Sequence, residues 1–295
     1  MKVYPTLMRQ FLFFMVLLML LGCSPLQDLP ASSNSTPTKV VSSTATNNPT
    51  STLTITKIPT TTVDLPTPTQ QAFKVCVPLD FETFDSLKLI LSKPLDIPAF
   101  GADTGHHGVD FSYFQRDDRE SIQGIEIYAI LSGKVVTTLE DDIPYGYTLL
   151  IETPLSDLPL PLQKTLKDRY LPVPDDPHYR LYCPEGTPPV ITDDLSVYHL
   201  YAHMEVKPEV STGDDITCGQ KIGTVGNTGY SSNPHLHLET RLGPSGAEIS
   251  NMAHYESSYT LDQLSTYCLW RMSGYFQLFD PFILFEADDG SITTP

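Results

Sequence analysis

Two histidines one residue apart, His235 and His237, follow a turn-rich stretch running from Gly226 to Pro234. In an extended strand successive side chains alternate faces, so the two imidazoles lie side by side while Leu236 and Leu238 turn into a core. Upstream, His106 and Asp110 stand four residues apart, a histidine and a carboxylate on one face, with Gly108 between them permitting close backbone approach. Tyr201-Ala202-His203 ends an apolar stretch on another imidazole. Three nitrogen or oxygen ligands and an open fourth position are what a catalytic zinc site requires, and such an ion lowers the pKa of a water to about 7. His106, Asp110 and His237 form the candidate ligand set. Histidine, histidine and carboxylate in a hydrolytic role favour zinc over copper or iron.

These residues need strands to carry them. Segments 125–129, 133–138, 147–152, 196–203, 221–225 and 235–240 read as strands separated by Gly and Pro turns, the pattern of an all-β sandwich or barrel. Helical signals are few. Residues 80–92 are one candidate, and 261–271 another, with Leu261, Leu264 and Cys268 on one face. Two insertions, 154–194 and 249–274, interrupt the strands. Each is either a groove wall or a decoration stapled through Cys183 and Cys268. Alternation along 196–203 places His199 on the same face as His203, whereas His107 faces away from His106. His178 and His254 have no partner motif and read as ordinary surface or core histidines.

The ordered run of motifs resembles the lysostaphin/LytM-type zinc endopeptidases that cut peptidoglycan cross-bridges. It comprises His106 to Asp110, Tyr201 to His203, Gly219-Gln220-Lys221-Ile222-Gly223-Thr224-Val225-Gly226-Asn227-Thr228-Gly229, and Pro234 to Glu239. The resemblance covers roughly residues 97–240, with Asp280-Pro281 as a closing element. It implies an antiparallel β-sandwich with an active-site groove over one sheet, and zinc on His106, Asp110 and His237. It further implies that His203 and His235 form the pair that activates water or stabilises the oxyanion, without saying which does which. The implied function is zinc-dependent hydrolysis of peptide bonds in peptidoglycan. The alternative is a non-catalytic LytM-like regulator that activates a wall amidase. Such regulators have lost ligands; here none is missing.

The ends of the chain concern location. Lys2 and Arg9 precede an apolar run from Phe11 to Leu21, too short for a spanning helix and shaped like an export signal. Leu20-Leu21-Gly22-Cys23 resembles the lipobox of bacterial lipoproteins, implying a leader over 1–22, a lipidated Cys23 and an extracytoplasmic protein anchored to the cell membrane. Residues 23–72 are dominated by Ser, Thr and Pro and read as a disordered linker; the peptidase domain is expected over 73–290. Cys76, Cys183, Cys218 and Cys268 predict two disulfides in an exported domain, with three pairings open. A formal net charge of -17 argues against nucleic acid as a partner. The expected form is a monomer.

Overall fold

The structure is a computed structural model and describes residues 73–115, 120–173, 183–184, 189–190 and 192–287. The expected leader, the linker with Cys23, His178 and residues 288–290 of the expected domain lie outside the described residues.

Antiparallel strands dominate. β4 (Gly133–Asp142), β5 (Gly146–Pro154), β6 (Leu195–Met204) and β9 (Leu236–Pro244) make the middle of a large sheet. β1 (Leu91–Lys93) and β2 (Val109–Phe111) continue it beyond β9, and β7 (Asp215–Ile216) beyond β4. The order is β1-β2-β9-β6-β5-β4-β7, with every pairing antiparallel. One edge of β9 serves two partners: residues 236–238 pair with β2, while Arg241 and Leu242 pair with β10 (Gln277–Leu278). β3 (Glu126–Tyr128) and β8 (Lys221–Thr224) form a second, two-stranded sheet.

Two cores lie on the two faces of the large sheet. On one, Leu149, Ile151, Val197, Tyr201, Leu236 and Leu238 share a cluster with Ile127 and Ile222 of the small sheet, which makes the sandwich. On the other, Tyr198, Leu200 and Ala202 pack with Leu264, Tyr267, Cys268 and Trp270 of α3 (Leu261–Arg271). Side chains of this size stabilise by about 1.5–3 kcal/mol each when fully buried. Both faces of the middle strands are covered, and β9 is accordingly buried along its whole length.

The helix expected over 80–92 is shorter. α1 (Phe84–Leu89) starts at Thr83, whose hydroxyl accepts from Ser86 N at 3.1 Å while Thr83 N donates to Ser86 Oγ at 2.7 Å. It stops at Ile90 because the following residues pair with β2, Leu91 opposite Phe111 and Lys93 opposite Asp110. The helix expected over 261–271 is present, with Thr260 and Gln263 as a reciprocal cap. Leu261, expected on its buried face, is 70% exposed; Tyr267 and Trp270 take the buried positions instead. The 154–194 insertion contributes α2 (Leu160–Lys167), whose Leu162 and Leu166 join the first core. A short α4 (Phe282–Phe285) follows Asp280-Pro281.

Disulfides join Cys76 to Cys218 and Cys183 to Cys268. The second links the two insertions, fastening residue 183 to α3. Among the described residues, no helix is long and apolar enough to cross a membrane.

Candidate metal centre

β2 and β9 place Asp110 directly opposite His237 in the antiparallel register. Facing residues in such a pair share a side of the sheet, which brings the carboxylate against the imidazole. Asp110 Oδ1 lies 2.7 Å from His237 Nδ1 and 3.0 Å from His106 Nε2. His106 is positioned separately, by a two-way backbone bridge to Asp96, both bonds 2.9 Å. Gly108 makes the approach possible. A Cβ there would come within 2.5 Å of the Leu238 carbonyl oxygen and 3.0 Å of the His237 ring, so the close contact is with β9 itself.

His203 reaches the site by an irregular route. Ala202 pairs with His237 and so faces the site; strict alternation would turn His203 to the opposite face. His203 instead has a left-handed backbone, φ 59°, which interrupts the alternation and returns Met204 to the first core. Its ring centroid lies 4.8 Å from that of His235 and 5.8 Å from that of His237. The glycine-rich loop before β9 holds it there, because His203 Nδ1 donates to the Thr228 carbonyl at 2.8 Å. That loop sits directly on the turn before β5. A Cβ on Gly229, itself at φ 71°, would meet Gly146 N at 2.3 Å.

The left-handed residue overturns the expectation for His199. With the alternation broken at 203, His199 lies on the opposite side and takes no part in the site. It is fully buried: Tyr201 OH is 2.8 Å from its Nδ1, and its Nε2 is 3.1 Å from Thr153 Oγ1, whose own proton goes to the Ser132 carbonyl. Burial pushes this imidazole down to about 3. Its stabilising contribution is therefore complete above the ordinary value of 6.5 and lost as pH falls toward 3. Between those limits the group should add a slope of about 1.4 kcal/mol per pH unit to the stability of the zinc-free protein. Urea melts at a series of pH values should show that slope reduced by one proton in His199→Gln; equal slopes in both proteins would contradict this.

Each ring of the site has one nitrogen occupied on its outer side. His106 Nδ1 donates to the Pro94 carbonyl and His235 Nδ1 to the Asn233 carbonyl, both at 2.8 Å. Their Nε2 atoms point inward, His235 Nε2 lying 3.5 Å from Asp110 Oδ1. His237 is reversed: Nδ1 points inward and Nε2 lies 3.3 Å from Glu239 Oε1. Burial alone would raise the Asp110 carboxyl, but its close contacts with the His106 and His237 rings hold it well below the usual carboxylate range. Burial lowers His203 to about 3 and also lowers His235, where the Asp110 charge and the Asn233 carbonyl oppose it. Both are neutral imidazoles near pH 7.

Among the described residues, two groups of donor atoms are compact enough to hold an ion, each within 4.8 Å: His106, Asp110 and His237, and His203, His235 and His237. The first fits zinc on its chemistry, two imidazoles and a carboxylate whose outer bonds fix which atom faces inward. All five residues line a cavity of about 810 Å³, whose walls include Lys93, Phe114, Tyr230, Tyr255 and Arg271. Tyr255 and Arg271 belong to the 249–274 insertion, which therefore forms part of the groove. Among the described residues, none of 154–194 lines it. His107 faces away from the site as expected, its Nδ1 accepting from Arg241 Nη2 at 2.9 Å. His254 lies outside the cavity lining and packs against Tyr255, Tyr259 and Tyr267.

Four residues behind the site carried no role in the sequence reading: Tyr145, Glu239, Arg241 and Trp270. A signal existed for two of them. Positions 235, 237, 239 and 241 are all polar at strand spacing, while 236, 238 and 242 are leucines.

Residues 186–250 match the model of peptidase family M23. Solved structures similar to the chain include a zinc-containing peptidase from Vibrio cholerae, at 21% identity over 51% of this chain and 32% of that one, TM-score 0.30. The chain thus spans about a third of that protein. A mutant catalytic domain of the prophage-encoded protein EnpA from Enterococcus faecalis is similar at 21% identity over 52% of this chain and 79% of that one, TM-score 0.29. The catalytic domain of lysostaphin from Staphylococcus simulans is similar at 18% identity over 69% and 95% of the two chains, TM-score 0.34.

Proposed function

As a LytM-type protein of peptidase family M23, this chain is, we propose, a zinc-dependent endopeptidase that hydrolyses peptide bonds in peptidoglycan. The observation that carries the reading is the convergence of His106 Nε2 and His237 Nδ1 on one oxygen of Asp110, in a groove that also holds two neutral imidazoles. His106, Asp110 and His237 would hold the ion. When bound, zinc supplies a water of pKa about 7 and polarises the scissile carbonyl.

The chain's own residues do the rest. The Nδ1 protons of His203 and His235 are committed to the carbonyls of Thr228 and Asn233, so each ring presents an unprotonated Nε2 to the groove. An imidazole in that state accepts the proton of an attacking water at Nε2 and returns it to the departing amine. The ring that has taken the proton is a cation, and it then stabilises negative charge developing on the carbonyl oxygen. Phe114 and Tyr230, exposed on the groove wall, offer surface for a bound peptide.

We extend the proposal to location, with Cys23 as a lipid anchor and residues 23–72 as a spacer that holds the domain off the membrane. Two acyl chains on one residue suffice for stable retention. We favour the endopeptidase over the reading as a non-catalytic regulator because His106, Asp110, His203, His235 and His237 all line one groove.

Purified protein incubated with sacculi of several cross-link types is expected to release new amino termini. A chelator should stop the release and added zinc should restore it. Zinc-loaded protein that liberates no amine from any wall type would refute the activity.

A further inference from the structure

Glu239 stands two residues after His237 on β9 and is completely buried. A buried carboxylate persists only when its oxygens are satisfied. Here Oε1 accepts from Tyr145 OH at 2.7 Å and faces His237 Nε2 at 3.3 Å. Oε2 accepts from Arg241 Nε at 2.8 Å and Trp270 Nε1 at 3.0 Å. The arginine is itself fixed: Nη1 donates to the Trp270 and Phe276 carbonyls at 2.8 and 3.0 Å, and Nη2 to His107. Its guanidinium lies over the Trp270 ring, 4.6 Å from the centroid.

Every group around Glu239 other than His237 is a donor, so the carboxylate can only accept, and His237 must present a proton on Nε2. An imidazole protonated at one nitrogen has its lone pair on the other. In His237 that atom is Nδ1, the one beside Asp110. Second-layer partners of this kind choose which nitrogen of a histidine ligates and hold the ring at its angle.

We propose that Glu239 is a positioning residue for the metal centre, held by Tyr145, Arg241 and Trp270, and that the 249–274 insertion thereby sets the metal affinity of the site. The inference rests on the metal-centre reading above. It assigns α3 a part in ligand geometry through Trp270, besides the groove wall that Tyr255 and Arg271 provide.

Zinc affinity measured on the full chain by competition with a chromophoric chelator tests this, alongside nitrogen NMR of the His237 ring in the zinc-loaded protein. Glu239→Gln puts an amide where the site supplies only donors, and zinc should bind about 10–100-fold more weakly. Tyr145→Phe removes one donor at nearly constant shape, Trp270→Phe removes another together with part of a buried ring, and each should weaken it by a smaller factor. The NMR should place the His237 proton on Nε2 in the wild type. A merely structural role would lower melting temperature and leave the zinc affinity of the folded protein alone. Affinities within twofold of wild type in the variants that fold, or a His237 proton on Nδ1, would overturn the inference. If Glu239→Gln does not fold, the two phenylalanine variants and the wild-type ring decide it. A wild type that takes up no zinc sinks the metal reading and this inference together; a wild type that binds zinc beside variants that bind it equally well sinks the inference alone.

Discussion

Asp110→Asn should leave a folded protein that retains no stoichiometric zinc and hydrolyses wall peptide at least ~10³-fold more slowly than the wild type, since the acidified water disappears with the ion. Asp110 Oδ1 is the atom on which His106, His235 and His237 converge, at 3.0, 3.5 and 2.7 Å. An amide keeps the shape and removes the charge, and a neutral oxygen is a far poorer ligand for a divalent ion. The strand itself should survive, because Val109 and Phe111 on either side are buried and β2 is paired on both edges. Elemental analysis of the purified variant, with amine release from sacculi, checks both halves. Full zinc occupancy in Asp110→Asn would place the ion elsewhere and remove the basis of the proposed chemistry.

The parts of this site that were legible in the sequence are those set by strand periodicity. His235 and His237 flank Leu236 at a spacing that any strand converts into two imidazoles on one side, and Leu236 and Leu238 are indeed buried on the other. β4, β5 and β6 were visible for the same reason, their apolar residues being long and regular enough to read. β2 was not. Its three residues carry too little pattern to announce a strand, yet its register against β9 is what sets Asp110 opposite His237. His203 shows the limit from the other side. The expectation that His199 shares its face rests on unbroken alternation, and a single residue at φ 59° cancels it. No local composition marks that departure, because its cause lies elsewhere: the Thr228 carbonyl that receives His203 sits on a loop fitted to Gly146. The pairing of Cys183 with Cys268 is equally a property of the assembled fold. The polar run through 239 and 241 marks a face of β9 without saying what its charges meet, and nothing local to the 249–274 insertion announces that Trp270 turns its Nε1 toward Glu239.

His203→Ala and His235→Ala separate the two possible ion positions as well as the two roles. If the ion sits on His106, Asp110 and His237, each variant should keep its zinc and lose about 10²–10⁴ in kcat, the range for removing one positioned acid–base or charge-stabilising group. The double variant should be little slower than the worse single one, since groups serving one transition state do not add. The rings also differ in how they should shape the pH profile. Burial lowers both, and the Asp110 charge and a backbone carbonyl oppose it at both. At His235 the Asp110 charge is the largest influence after burial, whereas at His203 the neighbouring histidines outweigh it and hold the ring near 3. An acid limb that reflects protonation of an essential imidazole should therefore belong to His235, activity falling as that ring gains its proton, and should be absent from the residual activity of His235→Ala. The competing cage of His203, His235 and His237 makes the opposite forecast, since both variants would then lose the ion together with activity. Zinc content and kcat measured on the same preparations decide between them. Either variant keeping more than about a tenth of wild-type kcat with its zinc in place would exclude that histidine from the chemistry, given the factors such groups ordinarily contribute.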